Sequence, residues 1–197
     1  MRVRVPCPVP PMDPLARALV PTLLHELANT TQLLTGLHAL LGLPDAGELL
    51  ERREGDLARA GDEAHRLGWL LGVLGAASGH DLLHARRERD GLTWMRELVE
   101  KAARKQERAL GPGPESLPRL LGAPQPDGWR VPWAFGQALW SVPAGQPWGL
   151  AETPEGLEVS GSRLDPMTRD RLEESACLAR VTATGTLLLA KTLLETP

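Results

Sequence analysis

The chain has 197 residues, 42% of them hydrophobic, with 22 Lys+Arg against 25 Asp+Glu and a net charge of -3. That is enough apolar material for one ordinary domain or two small ones, and the balance lacks the basic stripe with which nucleic-acid binders neutralise phosphates. No nucleic acid is expected as a partner. The two cysteines, Cys7 and Cys177, lie far apart without a C-x-x-C pairing, which fits a reducing compartment and excludes a disulfide framework. No apolar run reaches the about 18 residues of a membrane span, so no membrane partner is expected and the protein reads as cytoplasmic.

Residues 1–14, MRVRVPCPVPPMDP, lack the continuous apolar segment of a secretory signal, and their prolines predict an extended tail. Met1 and Met12 are both candidates for the true start. From Leu15 to Gly42, Leu19, Leu23, Leu27, Thr30, Leu34, Leu37 and Leu41 recur at steps of three and four, predicting one long amphipathic helix. At ~1.5 Å per residue it would extend about 42 Å. GLPDAG at 42–47 is the turn. A second stripe at Leu50, Leu57, Ala60, Ala64, Leu67, Leu71 and Leu74 then makes residues 15–77 a helical hairpin. One hairpin buries two stripes of this length poorly, whereas two hairpins related by a two-fold axis close a four-helix bundle. A homodimer is therefore expected.

The first helix contains LLHELANTTQLLTGLHALL, 23–41. It opens like the H-E-x-x-H of a zinc protease, but the second imidazole is replaced by Asn29, so the metal would lack its second ligand. His25 lies about 200° around the helix from both Leu23 and Leu27. It therefore points away from the apolar stripe, and Asn29, Gln32 and Gly36 continue along the same outer line. A plain solvated histidine is one reading, with Glu26, Asn29 and Gln32 as surface polar residues beside it.

The same residues carry a family resemblance. His25, Glu26, Leu27, Asn29, Gly36, Leu40 and Leu41 resemble, in register, the phosphoacceptor box of two-component sensor histidine kinases, with Thr30 in place of the usual proline. The returning helix, DEAHRLGWLLGVLGAASG, is similar to that family's second helix. The resemblance covers the first 80 residues and implies a hairpin dimerisation and phosphoacceptor domain at 15–80.

The family's ATPase domain would then occupy residues 81–197. GLTWMRELVEKAARKQERAL, 91–110, reads as an amphipathic helix at the position of that domain's first helix. GPGPESLPRLLGAPQPDG reads as loop. VPWAFGQALWSVPAG resembles the N-box helix at Gln137, Ala138 and Leu139, but Ser141 and Ala144 stand near where magnesium-nucleotide asparagines would fall, and Pro143 ends the helix. WGLAETPEGLEVSGS predicts a hairpin turning at TPEG. In GSRLDP, Gly161 and Arg163 occupy the places of the family's adenine-binding stretch, and Asp165 is displaced. The last run, TGTLLLAKTLLE, resembles the helix after the final glycine box in Leu187, Leu189, Ala190, Lys191, Leu193 and Glu195. Thr184 and Thr186 stand where glycines would let backbone N–H groups approach phosphates.

The expected fold class is thus α+β: a long antiparallel hairpin forming a dimeric four-helix bundle, followed by a reduced, degenerate histidine-kinase ATPase-like α/β sandwich. What the resemblance implies is a phosphorelay histidine phosphotransferase without ATP-dependent autokinase activity. His25 would accept and donate a phosphoryl group between receiver-domain aspartates, Glu26 would hold the other ring nitrogen, and Asn29 would orient water or phosphoryl oxygens. Gln32 and Gly36 would contact the receiver. The chain itself would bind no cofactor or metal, since Mg2+ comes from the receiver's acidic pocket. The alternative is a pseudokinase scaffold or regulator that binds a kinase or response regulator without carrying phosphate.

Other candidates are weaker. His80 and His84 have an i, i+4 spacing that could hold a metal, but no further ligand completes the set. His38 and His65 receive no role. The six tryptophans read as core or interface residues, with Trp133 and Trp140 partly exposed. ARRERD reads as a solvated charged stretch.

Overall fold

The computed structural model describes residues 13–78, 88–119, 129–153, 156–175, 179–181 and 187–190. The chain is helix-rich α+β. Helix α1 runs Pro14–Leu40, α2 Ala46–Glu51 and α3 Glu54–Ala77, followed by α4 (Gly91–Lys105) and α5 (Arg130–Trp140). Strands β1 (Gly149–Thr153) and β2 (Gly156–Ser160), helix α6 (Pro166–Ser175) and strands β3 (Ala179–Val181) and β4 (Leu187–Ala190) complete it.

Helix α1 starts where Asp13 caps it, its Oδ1 accepting from Leu15 N at 2.8 Å and Ala16 N at 3.2 Å, with Pro14 in the first turn. The helix continues through Pro21, which contributes no N–H to the ladder. Buried Thr22 and Leu23 just beyond it keep the segment packed. The returning limb is broken. Instead of one helix after the turn, α2 stops at Glu51 and α3 starts at Glu54, with Arg53 bonded to Asp56 at 2.9 Å across the break. Leu15, Leu19 and Leu23 on α1 and Leu67, Leu70 and Val73 on α3 are buried, while toward the tip Leu34, Leu41, Leu43 and Leu57 are exposed and Leu37 is buried.

The buried end of the hairpin belongs to one core shared with the rest of the chain. Leu92, Met95, Leu98 and Val99 of α4, Phe135 and Leu139 of α5, Leu157 and Val159 of β2 and Leu172 of α6 join the α1 and α3 leucines in a single cluster. Gly136 permits a close crossing: a Cβ there would lie 2.9 Å from Met95 Sδ and 3.2 Å from Leu15 Cδ2. Trp133 is buried in this cluster, contrary to the exposure expected of it, because α5 is enclosed on nearly all sides. Trp140 is half-buried beneath the Arg108 guanidinium, 4.8 Å from its ring centre.

The sheet has the order β1-β2-β4-β3, all neighbours antiparallel. In β2, Leu157 and Val159 face the core, the period-two pattern of a sheet covered on one side. The β1–β2 pairing closes at Thr153 and Gly156, a shorter connection than TPEG suggested; residues 154 and 155 lie outside the described residues. The largest departure is at the C-terminus. Leu187–Ala190, expected to begin a helix, is strand β4, paired with β2 and β3. Four consecutive apolar residues have no helical periodicity of their own, and the open backbone edge of β2 supplies hydrogen-bond partners that a short helix would lack. Lys191, Leu193 and Glu195 lie outside the described residues, as do Thr184, Thr186, His80, His84 and both cysteines.

Candidate functional site

Apolar packing of α1 onto α3 and α4 fixes which face of α1 remains outside. Leu19 and Leu23 turn inward, and His25, Asn29, Gln32 and Gly36 are all exposed on the outer face. The structure therefore brings together the sequence-derived residues along one helix line. Gly36 has nothing within 4 Å of the position a Cβ would take, so this part of the line is open surface.

An N–H of the Asn29 amide points to Nε2 of His25 at 3.4 Å, a long and weak contact one helical turn away. Among the described residues, Asn29 is the side chain that reaches the imidazole. Leu24, next to His25, is also solvent-exposed, giving the face an apolar as well as a polar component. Below it, Thr30, Thr31 and Thr35 donate their hydroxyls to carbonyls one turn back, at 3.1, 2.8 and 2.8 Å, and so present no free donor to a partner.

Glu26 does not hold the imidazole. Its Oε2 accepts from Lys101 Nζ on α4 at 2.5 Å and lies 3.5 Å from Arg66 on α3. One residue along a helix is a rotation of about 100°, which carries Glu26 off the outer face and onto the boundary with α4. Arg66 centres the cluster: Glu63 takes its Nε at 2.9 Å and an Nη at 2.5 Å, and Glu97 takes the other Nη at 3.2 Å. Its side chain is only 8% exposed. The hydrogen bond from Arg66 holds the Glu63 carboxyl below its ordinary pKa, against the opposing effect of burial. Glu63, first among its partners, raises the pKa of Arg66 in turn.

Sequence reasoning missed Lys101 and Arg66. The local Glu63–Arg66 spacing suggests a helix ion pair, but nothing in the sequence links position 26 to position 101. His65 also acquires partners: its Nε2 lies 2.7 Å from Glu88 Oε1, and its ring meets Trp94 edge-on at 5.9 Å.

Ser141, Gly161 and Asp165, which the sequence resemblance set beside a nucleotide site, have structural partners. Ser141 donates to Ala138 O at 2.8 Å and accepts from the Arg163 N–H at 3.0 Å, joining the end of α5 to the segment after β2. Asp165 caps α6, accepting from Thr168 N at 3.0 Å and Thr168 Oγ1 at 2.6 Å. The Thr168 hydroxyl holds its carboxyl below the ordinary range. Gly161 sits at φ 84°, where a Cβ would come 2.8 Å from Pro147 O, so its role is to let two backbone segments pass.

Among the described residues, no group of three or more His, Cys, Asp or Glu side chains is arranged to hold a metal, and no helix is long and apolar enough to cross a membrane. No protein-family model, curated protein or solved structure matches the chain.

Proposed function

We propose that the protein is a phosphorelay histidine phosphotransferase in which His25 carries the phosphoryl group between receiver-domain aspartates. The observation that carries this reading is the exposed imidazole on a long hairpin helix, with Asn29 at Nε2 and an open line through Gln32 and Gly36 beyond it. In the transfer, a ring nitrogen attacks the phosphorus of an aspartyl phosphate. The N–P bond forms, the P–O bond to aspartate breaks, and the carboxylate leaves with its electron pair. Such a reaction asks for position and charge neutralisation more than for catalytic groups on the carrier. The receiver's magnesium meets the phosphoryl charge.

Residues 81–197 are proposed to be a degenerate relative of the histidine-kinase ATPase domain, without autokinase activity. Supporting this, Ser141 and Asp165 are bonded into local structure where nucleotide ligands would be needed. Exposed Leu34, Leu41, Leu43 and Leu57 toward the hairpin tip support a homodimer closing a four-helix bundle, since a second hairpin would cover them.

A second reading, a scaffold or regulator that binds a kinase or response regulator without carrying phosphate, draws support from Glu26 being engaged with Lys101 and not with the imidazole. One experiment separates the two. The protein is incubated with phosphorylated receiver domains from the same genome, and acid-labile phosphate is measured on wild type and His25→Ala. Label on wild type that is lost in His25→Ala is expected; receiver binding without label favours the scaffold, and the absence of both overturns the family resemblance.

A further inference from the structure

We infer that the exposed face of α4, carrying Lys101, Arg104 and Lys105, is the second wall of the docking surface around His25, and that it takes the acidic rim of a domain whose phosphoacceptor aspartate lies in a carboxylate-lined magnesium pocket. The inference rests on the phosphotransferase reading and assigns a task to the C-terminal half, which that reading leaves without one.

Helical spacing puts the three cations on one side of α4. Positions i, i+3 and i+4 lie within about 100° of one another; Arg104 is opposite the buried Met95, Val99 and Ala102, Lys101 is half-buried at the edge of that side, and Lys105, in line with buried Leu98, is exposed at the helix end. Lys101 fixes where the face meets α1, because its Nζ contacts Glu26, the residue next to His25. Arg104 and Lys105 follow about 5 Å further along the α4 axis. A standard interface covers about 800 Å2 per partner, a patch roughly 30 Å across, so a domain centred on His25 overlaps them.

Three of the acids near this face are engaged. Glu97 is bound by Arg66, Glu26 by Lys101, and Glu100 lies 3.8 Å from Arg96. Glu107 is exposed beyond the helix end. Arg108 is withdrawn, donating to the Val142 carbonyl and stacked on Trp140. Arg104 and Lys105 are exposed, and neither forms an ion pair among the described residues. Among the described residues, Arg104 and Lys105 against the single unpaired carboxylate of Glu107 leave a net positive charge at this end of α4, in a chain whose overall net charge is -3. A pocket that holds Mg2+ through carboxylates is the complementary surface. Lys101 differs from Arg66 in freedom as well as position: its side chain is 34% exposed against 8%, and its ammonium can follow charge arriving at His25.

The test separates docking from chemistry. Phosphoramidate labels His25 without a protein donor: its P–N bond breaks, the N–P bond to the imidazole forms, and ammonia leaves. Labelled wild type and Arg104→Glu/Lys105→Glu are then mixed with receiver domains from the same genome. The expected result is equal labelling of His25, with transfer from the double variant at least tenfold slower at low salt and the difference narrowing at high salt. Arg104→Lys/Lys105→Arg should transfer at the wild-type rate, and Arg104→Gln/Lys105→Gln should fall between, which guards against a folding defect from charge reversal. If the double reversal transfers like wild type, the α4 wall is wrong and His25 chemistry stands. Should no receiver accept phosphate from labelled wild type, the phosphotransferase reading fails and the wall with it.

Discussion

Asp13 and Gln137, 124 positions apart in sequence, share a hydrogen bond of 2.8 Å from the Gln137 amide to Asp13 Oδ1. That oxygen also caps α1, so one carboxylate starts this helix and fastens it to α5. Removing it affects both functions. Asp13→Ala should cost about 1 kcal/mol for the cap and about 1–2 kcal/mol more for leaving the buried Gln137 amide without its acceptor. Asp13→Asn keeps a capping oxygen and should retain at least half of that stability. Urea unfolding at pH 7 checks both; equal losses in the two variants would show that charge, not hydrogen bonding, holds this junction.

Arg66 gives a pH-dependent prediction. Replacing it with Ala leaves the carboxylates of Glu26, Glu63 and Glu97 facing one another around a vacated, largely buried position, and about 3 kcal/mol of stability should be lost at pH 7. The folded state lowers the pKa of Glu63 below 4.5, so its pairing stabilises the fold above that pH and is lost as pH falls through the lowered value. The difference between wild type and Arg66→Ala should therefore shrink below about pH 4.5. A difference that grows on acidification would contradict the assignment.

The end of α4 contains a strained residue. Glu107 has φ 56°, with its N–H bonded to Arg104 O at 3.1 Å and the Arg108 N–H bonded to Ala103 O at 2.9 Å. This pair of reversed bonds closes a helix around a left-handed residue, a position glycine occupies without a Cβ penalty. Glu107→Gly should raise stability by about 1 kcal/mol in chemical denaturation. Glu107→Val should lower it, because a β-branched side chain is the least tolerant of that conformation.

The outer line of α1 was legible in the sequence because it depends only on helical period: once Leu19 and Leu23 are inside, His25, Asn29 and Gln32 are outside. The partner of Glu26 was not, since the meeting of residues 26 and 101 depends on how α4 crosses α1, and no local spacing encodes that. The same limit explains β4. Leu187–Ala190 carries no period that separates strand from helix, and the neighbouring edge of β2 decides it. Resemblance to a glycine-box helix was therefore a poor guide there, whereas the β1–β2 hairpin, with its alternation in Leu157 and Val159, declared itself.

Gly36 separates stability from function most cleanly. It lies in the last two turns of α1 on the exposed line beyond His25, with nothing within 4 Å of where a Cβ would stand. Glycine is a poor helix residue, so Gly36→Ala should stabilise α1 by up to about 1 kcal/mol, and Gly36→Arg should fold at least as well as wild type. A partner lying along His25, Asn29 and Gln32 meets the new side chain, however, and a displacement of about 1 Å at the phosphoryl group can cost on the order of a hundredfold in rate. Gly36→Ala should transfer phosphate nearly as fast as wild type, while Gly36→Arg should accept label from phosphoramidate normally and pass it to a receiver at least tenfold more slowly. Single-turnover transfer on the three proteins measures this. If Gly36→Arg transfers at the wild-type rate, the docking face does not run along this line, and Gln32 and Gly36 lose their assignment as contacts while His25 keeps its own.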